Sequence, residues 1–184
     1  MALTASNPFD IGQKAPDFNL PNVVNNEMTT LQNLKGEKGT VVMFICNHCP
    51  FVIHVNEELV RLANDYMTKG FSFVAISSND IVNYPQDAPE HMKEVAEKLN
   101  YPFPYLYDES QSVAKAYDAA CTPDFYIFDA QLTSVYHGQL DDSRPGNARP
   151  VTGEDMRKVM DLMLEELPVN FEQKPSIGCG IKWK

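Results

Sequence analysis

An apolar run that passes directly into an amphipathic helix constrains this sequence most. Residues 41–46 are apolar throughout and have the length of a strand that is buried on both faces. From Phe51 the apolar residues recur at three- and four-residue steps, and Gly70 follows the last turn. Residues 71–77, which are apolar apart from Ser72 and Ser77, form a second segment with the length and character of a buried strand. This order predicts a β-α-β unit with a parallel strand pair.

Weaker sequence patterns before and after the β-α-β unit predict further strands and helices. Short extended stretches flank an Asn-rich turn near the start of the chain and predict an N-terminal hairpin. Asp108 with Gln111, and Thr152 with Asp155, have the spacing of capping boxes that open later helices. Between those helices, residues 125–137 predict an antiparallel hairpin. The predicted fold class is α/β, with a mixed central sheet flanked by helices.

Length and composition indicate one folded domain. The chain has 184 residues, of which 43% are hydrophobic and 22% are charged, as in ordinary globular proteins. Pro and Gly are scattered, and no linker or repeat divides the chain. We expect a single domain over residues 1–184 with a short C-terminal tail from about residue 168.

Net charge and hydropathy indicate which classes of partner and which cellular compartment to expect. The formal net charge of -10 repels phosphate backbones and anionic lipid surfaces, so no nucleic-acid or membrane partner is expected. No run approaches the ~18 apolar residues of a membrane span, and residues 1–10 do not resemble a signal segment. We therefore expect a cytoplasmic protein.

The segment Cys46-Asn47-His48-Cys49 joins the first buried strand to the helix. Two intervening residues allow the sulfurs to bond reversibly, and Cys-x-x-Cys beside a β-α-β unit is typical of a redox dithiol. The helix N-terminus favours thiolate over thiol there. We expect Cys46 to be the low-pKa nucleophile and Cys49 the resolving thiol, with His48 stabilising the Cys46 thiolate.

Two other interpretations of these residues were weighed. Cys46, His48, Cys49 and His54 offer ligands for zinc, but structural zinc sites usually need a second ligand pair, and Cys121 and Cys179 are single and remote. The cysteines could also be inert core residues. We assign no metal, and electron transfer between sulfurs requires no organic cofactor.

Four stretches of sequence resemble the thioredoxin-like superfamily. They are residues 15–18 with their hairpin, the dithiol junction, residues 103–117, and residues 122–129, and the resemblance spans about residues 10–165. The chain is most similar to the branch that joins the peroxiredoxins (alkyl hydroperoxide reductase/thiol-specific antioxidant) to exported cytochrome-maturation thiol reductases. The resemblance implies a thioredoxin-like fold with antioxidant or thiol-exchange activity.

The resemblance also implies roles for Thr122 and Pro123. In that superfamily the matching proline is cis and faces the dithiol, and the backbone of the preceding residue pairs with a bound peptide. Two family features are absent: Thr40 stands where thioredoxins have a buried Asp, and the peroxiredoxin Pro-x-x-x-Thr-x-x-Cys pattern is incomplete when its cysteine is aligned with Cys49. Arg144 and Arg149 are candidates for an arginine that activates a peroxidase thiolate.

Cys121 and Cys179 are candidate auxiliary redox thiols. Cys121 lies two residues before Pro123, and the alternative is a buried small residue. Cys179 lies between two glycines in the tail, where it could act as a resolving cysteine or lie at a subunit contact. With Ile181 and Trp183 as the only apolar anchors, we expect weak docking of the tail within one subunit and firmer docking in a homodimer.

The sequence thus predicts a thiol–disulfide oxidoreductase that exchanges electrons through the Cys46–Cys49 pair. Its partners would be protein or small-molecule thiols and disulfides, with a reductase as electron donor. The alternatives are a peroxiredoxin-like peroxidase acting on peroxides and a redox-inert peptide-binding module of the same fold.

Overall fold

A computed structural model describes residues 3–184; Met1 and Ala2, which the predicted domain includes, lie outside the described residues. The strands are β1 (Leu3–Ala5), β2 (Asn19–Pro21), β3 (Met28–Thr30), β4 (Gly39–Phe44), β5 (Phe71–Ser77), β6 (Tyr105–Tyr107), β7 (Cys121–Thr122), β8 (Asp124–Asp129), β9 (Ser134–Gly138) and β10 (Ile177–Gly180). The α-helices are α1 (Pro50–Met67), α2 (Pro89–Lys98), α3 (Ser112–Ala116) and α4 (Glu154–Leu164).

The central sheet has the strand order β6-β5-β4-β8-β9. β4 pairs in parallel with β5, and β5 pairs in parallel with β6, whereas β8 and β9 are antiparallel to their neighbours. β2 and β3 form the separate N-terminal hairpin. The predicted mixed sheet, β-α-β unit and hairpin are confirmed.

The side chains of β4 explain its unbroken apolar sequence. Val41 and Met43 belong to a core cluster that includes side chains of α1, α2 and α4. Val42 and Phe44 belong to a second cluster that includes α3 and residues of the hairpin. All four side chains are fully buried, so the strand is covered on both faces. β4 therefore holds the residues that follow it in a fixed position between two packed layers.

A three-stranded sheet, ordered β1-β10-β7, was not predicted from the sequence. It joins residues near both ends of the chain, because β10 pairs with β1 on one side and with β7 on the other. The tail continues into hydrogen bonds from Ile181 N–H to the Ala120 carbonyl and from Lys182 N–H to Asn79 Oδ1. The expectation of weak docking within one subunit was wrong because it counted two apolar anchors and omitted these hydrogen bonds.

Both predicted capping boxes were also wrong. Asp108 accepts hydrogen bonds from Ser78 Oγ and from the Ala114 N–H, and α3 instead starts after Gln111 in a left-handed conformation. Gly153 precedes α4, and the carboxylate of Asp141 accepts its N–H. Tertiary contacts of buried carboxylates thus replaced the local caps. Within residues 3–184, no helix combines the length and the apolar composition that a membrane crossing requires.

Candidate active site

The two cysteines of the Cys-x-x-Cys segment lie where β4 passes into α1. Cys46 follows the end of β4, and Cys49 is the N-cap residue of α1. Pro50 occupies the first turn of the helix, and the Cys49 carbonyl accepts the Val52 N–H at 3.0 Å. Both sulfur-bearing residues are buried. The segment therefore places Cys49, and not Cys46, at the positive end of the helix dipole.

Of the two cysteines, Cys49 has the surroundings that stabilise a thiolate more strongly. Its pKa is lowered to about 5, first by the hydrogen bond from the Cys46 thiol and then by the Cys179 thiol and the backbone N–H groups of Val52 and Cys179, against the opposing effect of burial. Its Sγ lies 2.7 Å from Cys179 Sγ. One contact favours the protonated form, because the Cys49 thiol can donate to the Thr122 carbonyl oxygen at 3.2 Å. The several donors outweigh this single acceptor.

The surroundings of Cys46 have the opposite effect. Its pKa is raised by the hydrogen bond to Cys49, by burial and by the negative charge of Asp87, and only the Thr122 hydroxyl lowers it. Cys46 Sγ and Thr122 Oγ1 are 3.4 Å apart. These surroundings favour the thiolate on Cys49, whereas the sequence-based expectation placed it on Cys46. The physical reason is that Cys49 is the helix N-cap, while Cys46 lies beside a carboxylate.

His48 is held by that same carboxylate. Its Nδ1 donates to Asp87 Oδ2 at 2.6 Å, and its ring stacks on Tyr84 with the centroids 5.5 Å apart. Asp87 is fully buried and also accepts the Asn47 N–H at 2.9 Å and Asn79 Nδ2 at 2.7 Å. This carboxylate fixes both the loop and the imidazole. The sequence-based search did not identify it, because nothing in the segment around residue 87 indicates that it folds against the dithiol.

One donor of each of Cys46, His48 and Asp87 lies within 4.8 Å of the others, which is a spacing that could hold a metal ion. The set differs from the one weighed from the sequence, since Asp87 takes the place of Cys49 and His54. The Asp87 carboxylate already accepts three hydrogen bonds. With these hydrogen bonds, the Asp87 carboxylate acts as a group that orients the His48 ring.

Thr122 and Pro123 lie beside the dithiol, as the resemblance implied, and the Thr122-Pro123 peptide bond is cis. The structure differs from the expectation in one respect. The backbone of Thr122 is paired with Cys179 of β10, so the edge expected to receive a substrate peptide is occupied by this chain's own tail.

Of the two candidate auxiliary cysteines, Cys179 contacts the dithiol and Cys121 forms its contacts elsewhere. Cys179 contacts Cys49, and burial, together with the hydrogen bond to Cys49, raises its pKa to about 12. Cys121 Sγ instead contacts the carbonyl oxygens of Pro123 at 3.7 Å and Ser176 at 4.0 Å. Burial raises the pKa of Cys121.

The two arginines that were candidates for activating a peroxidase thiolate, Arg144 and Arg149, form hydrogen bonds with nearby residues of the segment that follows β9. Arg144 donates to the Asp141 and Ser143 carbonyls, and Arg149 pairs with Asp142 at 2.7 Å. Both arginines are thus paired with groups within residues 141–149.

Comparison with known proteins identifies the family. The model of the AhpC/TSA family matches residues 11–136, which is well over half of the chain and includes the dithiol but not Cys179. No protein of curated function matches the chain.

Solved structures agree with the family match. An uncharacterized conserved protein from Geobacillus kaustophilus is 65% identical with a TM-score of 0.98, and the match covers 100% of this chain and 97% of that one. At 18% identity and a TM-score of 0.68, a putative thiol:disulfide interchange protein from Chlorobium tepidum matches over 85% of this chain and 99% of its own. A peroxidoxin from Mycobacterium tuberculosis matches at 16% identity and a TM-score of 0.61, over 85% of this chain and 96% of its own.

The last two likenesses establish the thioredoxin-like fold, and the family model establishes the wider group. The chain belongs to the AhpC/TSA family of thioredoxin-fold, peroxiredoxin-like redox proteins.

Proposed function

We propose that this protein is a thiol–disulfide oxidoreductase in which the Cys46–Cys49 pair cycles between dithiol and disulfide. The observation that carries the proposal is the environment of Cys49: a sulfur at a helix N-terminus, with its pKa lowered to about 5 and a neutral thiol beside it. A low-pKa thiolate next to a second thiol is the arrangement that thiol–disulfide exchange requires.

In the first step, the Cys49 thiolate attacks one sulfur of a substrate disulfide. A mixed disulfide forms between Cys49 and that sulfur, and the other substrate sulfur leaves as a thiolate. The positive end of α1 stabilises the attacking thiolate before the step. This assigns the nucleophilic role to Cys49, so the roles expected from the sequence are exchanged in the proposal.

In the second step, Cys46 loses its proton and attacks the Cys49 sulfur. The Cys46–Cys49 disulfide forms, and the remaining substrate sulfur leaves as a thiolate and takes up a proton. We assign His48 as the acceptor of the Cys46 proton, because a ring nitrogen of His48 lies within 4.8 Å of the Cys46 sulfur, its Nε2 has no hydrogen-bond partner among the described residues, and Asp87 holds the ring in position. His48 is thus a proton acceptor, and Asp87 is a positioning residue.

The resulting disulfide must be reduced to complete the cycle. The proposal keeps a reductase or a small thiol as the electron donor, as expected from the sequence, in a reducing, cytoplasmic setting. Thr122 has two supporting contacts in this scheme: its hydroxyl meets Cys46 and its carbonyl meets Cys49.

A disulfide-reduction assay tests the proposal. Wild-type protein should accelerate the reduction of a small aromatic disulfide by dithiothreitol, and Cys49→Ser should lose this acceleration. A variant combining Cys46→Ser with Cys179→Ser leaves Cys49 alone in the cluster and should accumulate a mixed disulfide at Cys49. Cys121→Ser is the matched control and should retain wild-type turnover. Full turnover by Cys49→Ser would overturn the proposal.

A peroxidase is the second candidate, and the lowered pKa of Cys49 is the observation that favours it. If the peroxidatic cysteine of the resembling family is aligned with Cys49, its thiolate is the group that would attack a peroxide. Peroxide consumption measured on the same variants separates the two activities. Consumption without disulfide reduction would favour the peroxidase, and the absence of both activities in the wild type would favour the redox-inert peptide-binding module.

A further inference from the structure

Cys49 has a second sulfur neighbour besides Cys46, namely Cys179. Cys179 lies in β10, near the end of the chain and outside the region matched by the family model. Its Sγ is 2.7 Å from Cys49 Sγ, and both residues are buried. The nucleophile of the proposed reaction therefore has two thiol neighbours, Cys46 and Cys179, and the Cys179 sulfur is the one in direct contact at 2.7 Å.

β10, the strand that contains Cys179, pairs with the backbone of Thr122 in β7. The register pairs Cys179 with Thr122 and Gly180 with Cys121 in antiparallel orientation. Close approach depends on Gly178, because a Cβ at this position would lie 2.0 Å from the Thr122 carbonyl oxygen. β10 thus occupies the edge beside Pro123 at which the resemblance places a bound peptide.

Several contacts hold β10 in this position. β1 covers its other edge, with Leu3 opposite Cys179. Beyond the strand, Ile181 is buried, and Lys182 is bound through its carbonyl to Gln111 Nε2 at 2.8 Å. β10 is therefore an integral part of the site. An external polypeptide can pair with the backbone of Thr122 only after β10 has separated from it.

We propose that Cys179 is a second exchange partner of Cys49 and that β10 is an internal occupant of the peptide-binding edge, which restricts the closed protein to small-molecule disulfides and thiols. This inference rests on the proposed function of the dithiol. Starting from the Cys46–Cys49 disulfide, the Cys179 thiolate attacks the Cys49 sulfur. The Cys49–Cys179 bond forms, the Cys46–Cys49 bond breaks, and Cys46 leaves as a thiolate that takes the proton released by Cys179.

The exchange needs no external oxidant, because one disulfide replaces another. Its product ties β10 to α1 across the Thr122 edge, so polypeptides are excluded while the bond persists. Reduction of the bond frees the strand from this covalent link.

Disulfide mapping tests whether Cys179 can form a disulfide with Cys49. Cys46→Ser protein is oxidised with oxidised glutathione, digested without reduction and analysed by mass spectrometry. We expect a peptide pair linked through Cys49 and Cys179, its retention when Cys121→Ser is added, and its loss when Cys179→Ser is added. Glutathione held on Cys49 while Cys179 remains a free thiol would overturn the inference.

This experiment is independent of turnover. If wild-type protein reduced no disulfide but the Cys49–Cys179 bond formed, the proposed function would fail while the second exchange partner remained. If turnover occurred and the bond never formed, only the present inference would fail.

A glycine pair tests the occupied edge. Gly178→Ala should push β10 away from Thr122, lower the yield of the Cys49–Cys179 bond, and raise the rate of insulin reduction relative to that of a small aromatic disulfide. Gly180→Ala is the matched control, since its Cβ would meet only the Thr4 side chain, with Oγ1 at 3.1 Å and Cβ at 3.9 Å, and the Ala120 carbonyl oxygen at 3.9 Å. An unchanged rate ratio in folded Gly178→Ala, verified by circular dichroism, would contradict the occupied edge.

Discussion

The ionisation of Cys49 gives the sharpest prediction, and pH is the perturbation. With a pKa of about 5, Cys49 should be about 99% thiolate at pH 7 and half protonated near pH 5. An ordinary thiol with a pKa of ~8.5 is only about 3% ionised at pH 7. The alkylation rate of Cys49 should therefore be nearly constant from pH 8 to pH 6.5 and should fall by about half at pH 5.

Two variants show whether the stated cause is correct. Hydrogen bonding from Cys46 is the largest influence that lowers the pKa of Cys49. Cys46→Ala removes this donor and should move the titration upward, whereas Cys46→Ser keeps a hydroxyl donor and should move it less.

The assay combines thiolate ultraviolet absorbance, which needs no reagent access to a buried sulfur, with iodoacetamide labelling that is located by mass spectrometry. A titration of Cys49 in the ordinary thiol range, or ionisation of Cys46 before Cys49, would refute the reasoning. Equal titrations in the Cys46→Ala and Cys46→Ser variants would refute the stated cause.

Three further predictions concern Asp87, the dependence of stability on pH, and the core. Asp87→Asn removes a negative charge that raises the pKa of Cys46, so labelling of Cys46 should begin at lower pH than in the wild type; unchanged labelling would contradict this. Because the pKa of Cys49 is lower in the folded than in the unfolded chain, its contribution to the stability of the reduced protein is complete above pH 9 and should decrease as pH falls toward 5. Urea unfolding of wild type and Cys49→Ser at pH 9 and pH 6 measures this, and a parallel pH response of the two would exclude it. Leu59→Ala, at a fully buried position of α1, should lower the free energy of unfolding by about 2–5 kcal/mol in the same assay, and a change well below that range would show that the site is loosely packed.

Much of the central fold could be predicted because its strands and helices carry strong periodic patterns. β4 is apolar at every position from Val41 to its end, and α1 has apolar residues on one face. β1, β7 and β10 have between two and four residues each, and β10 contains Gly178 and Gly180. Strands this short are defined by their pairing partners, and such pairing leaves no signal in a local sequence window.

The candidate site could be predicted in its cysteines but not in its electrostatics. Pro50 was the available signal for the order of the thiols, since proline favours the first helical position and so places Cys49 at the N-cap. The charge beside Cys46 could not be predicted, because Asp87 lies 39 residues from His48 and meets it only through the fold. The contact between Cys49 and Cys179, 130 residues apart, depends on the tail in the same way.

The central claim is that Cys49 is the sulfur through which this protein exchanges electrons, and equilibration in glutathione redox buffers followed by non-reducing peptide mapping tests it most directly. The account predicts that every intramolecular disulfide contains Cys49, joined to Cys46 or to Cys179, and that Cys49→Ser forms none while Cys121→Ser behaves as the wild type. A disulfide between Cys46 and Cys179 in Cys49→Ser, together with retained disulfide turnover, would contradict it.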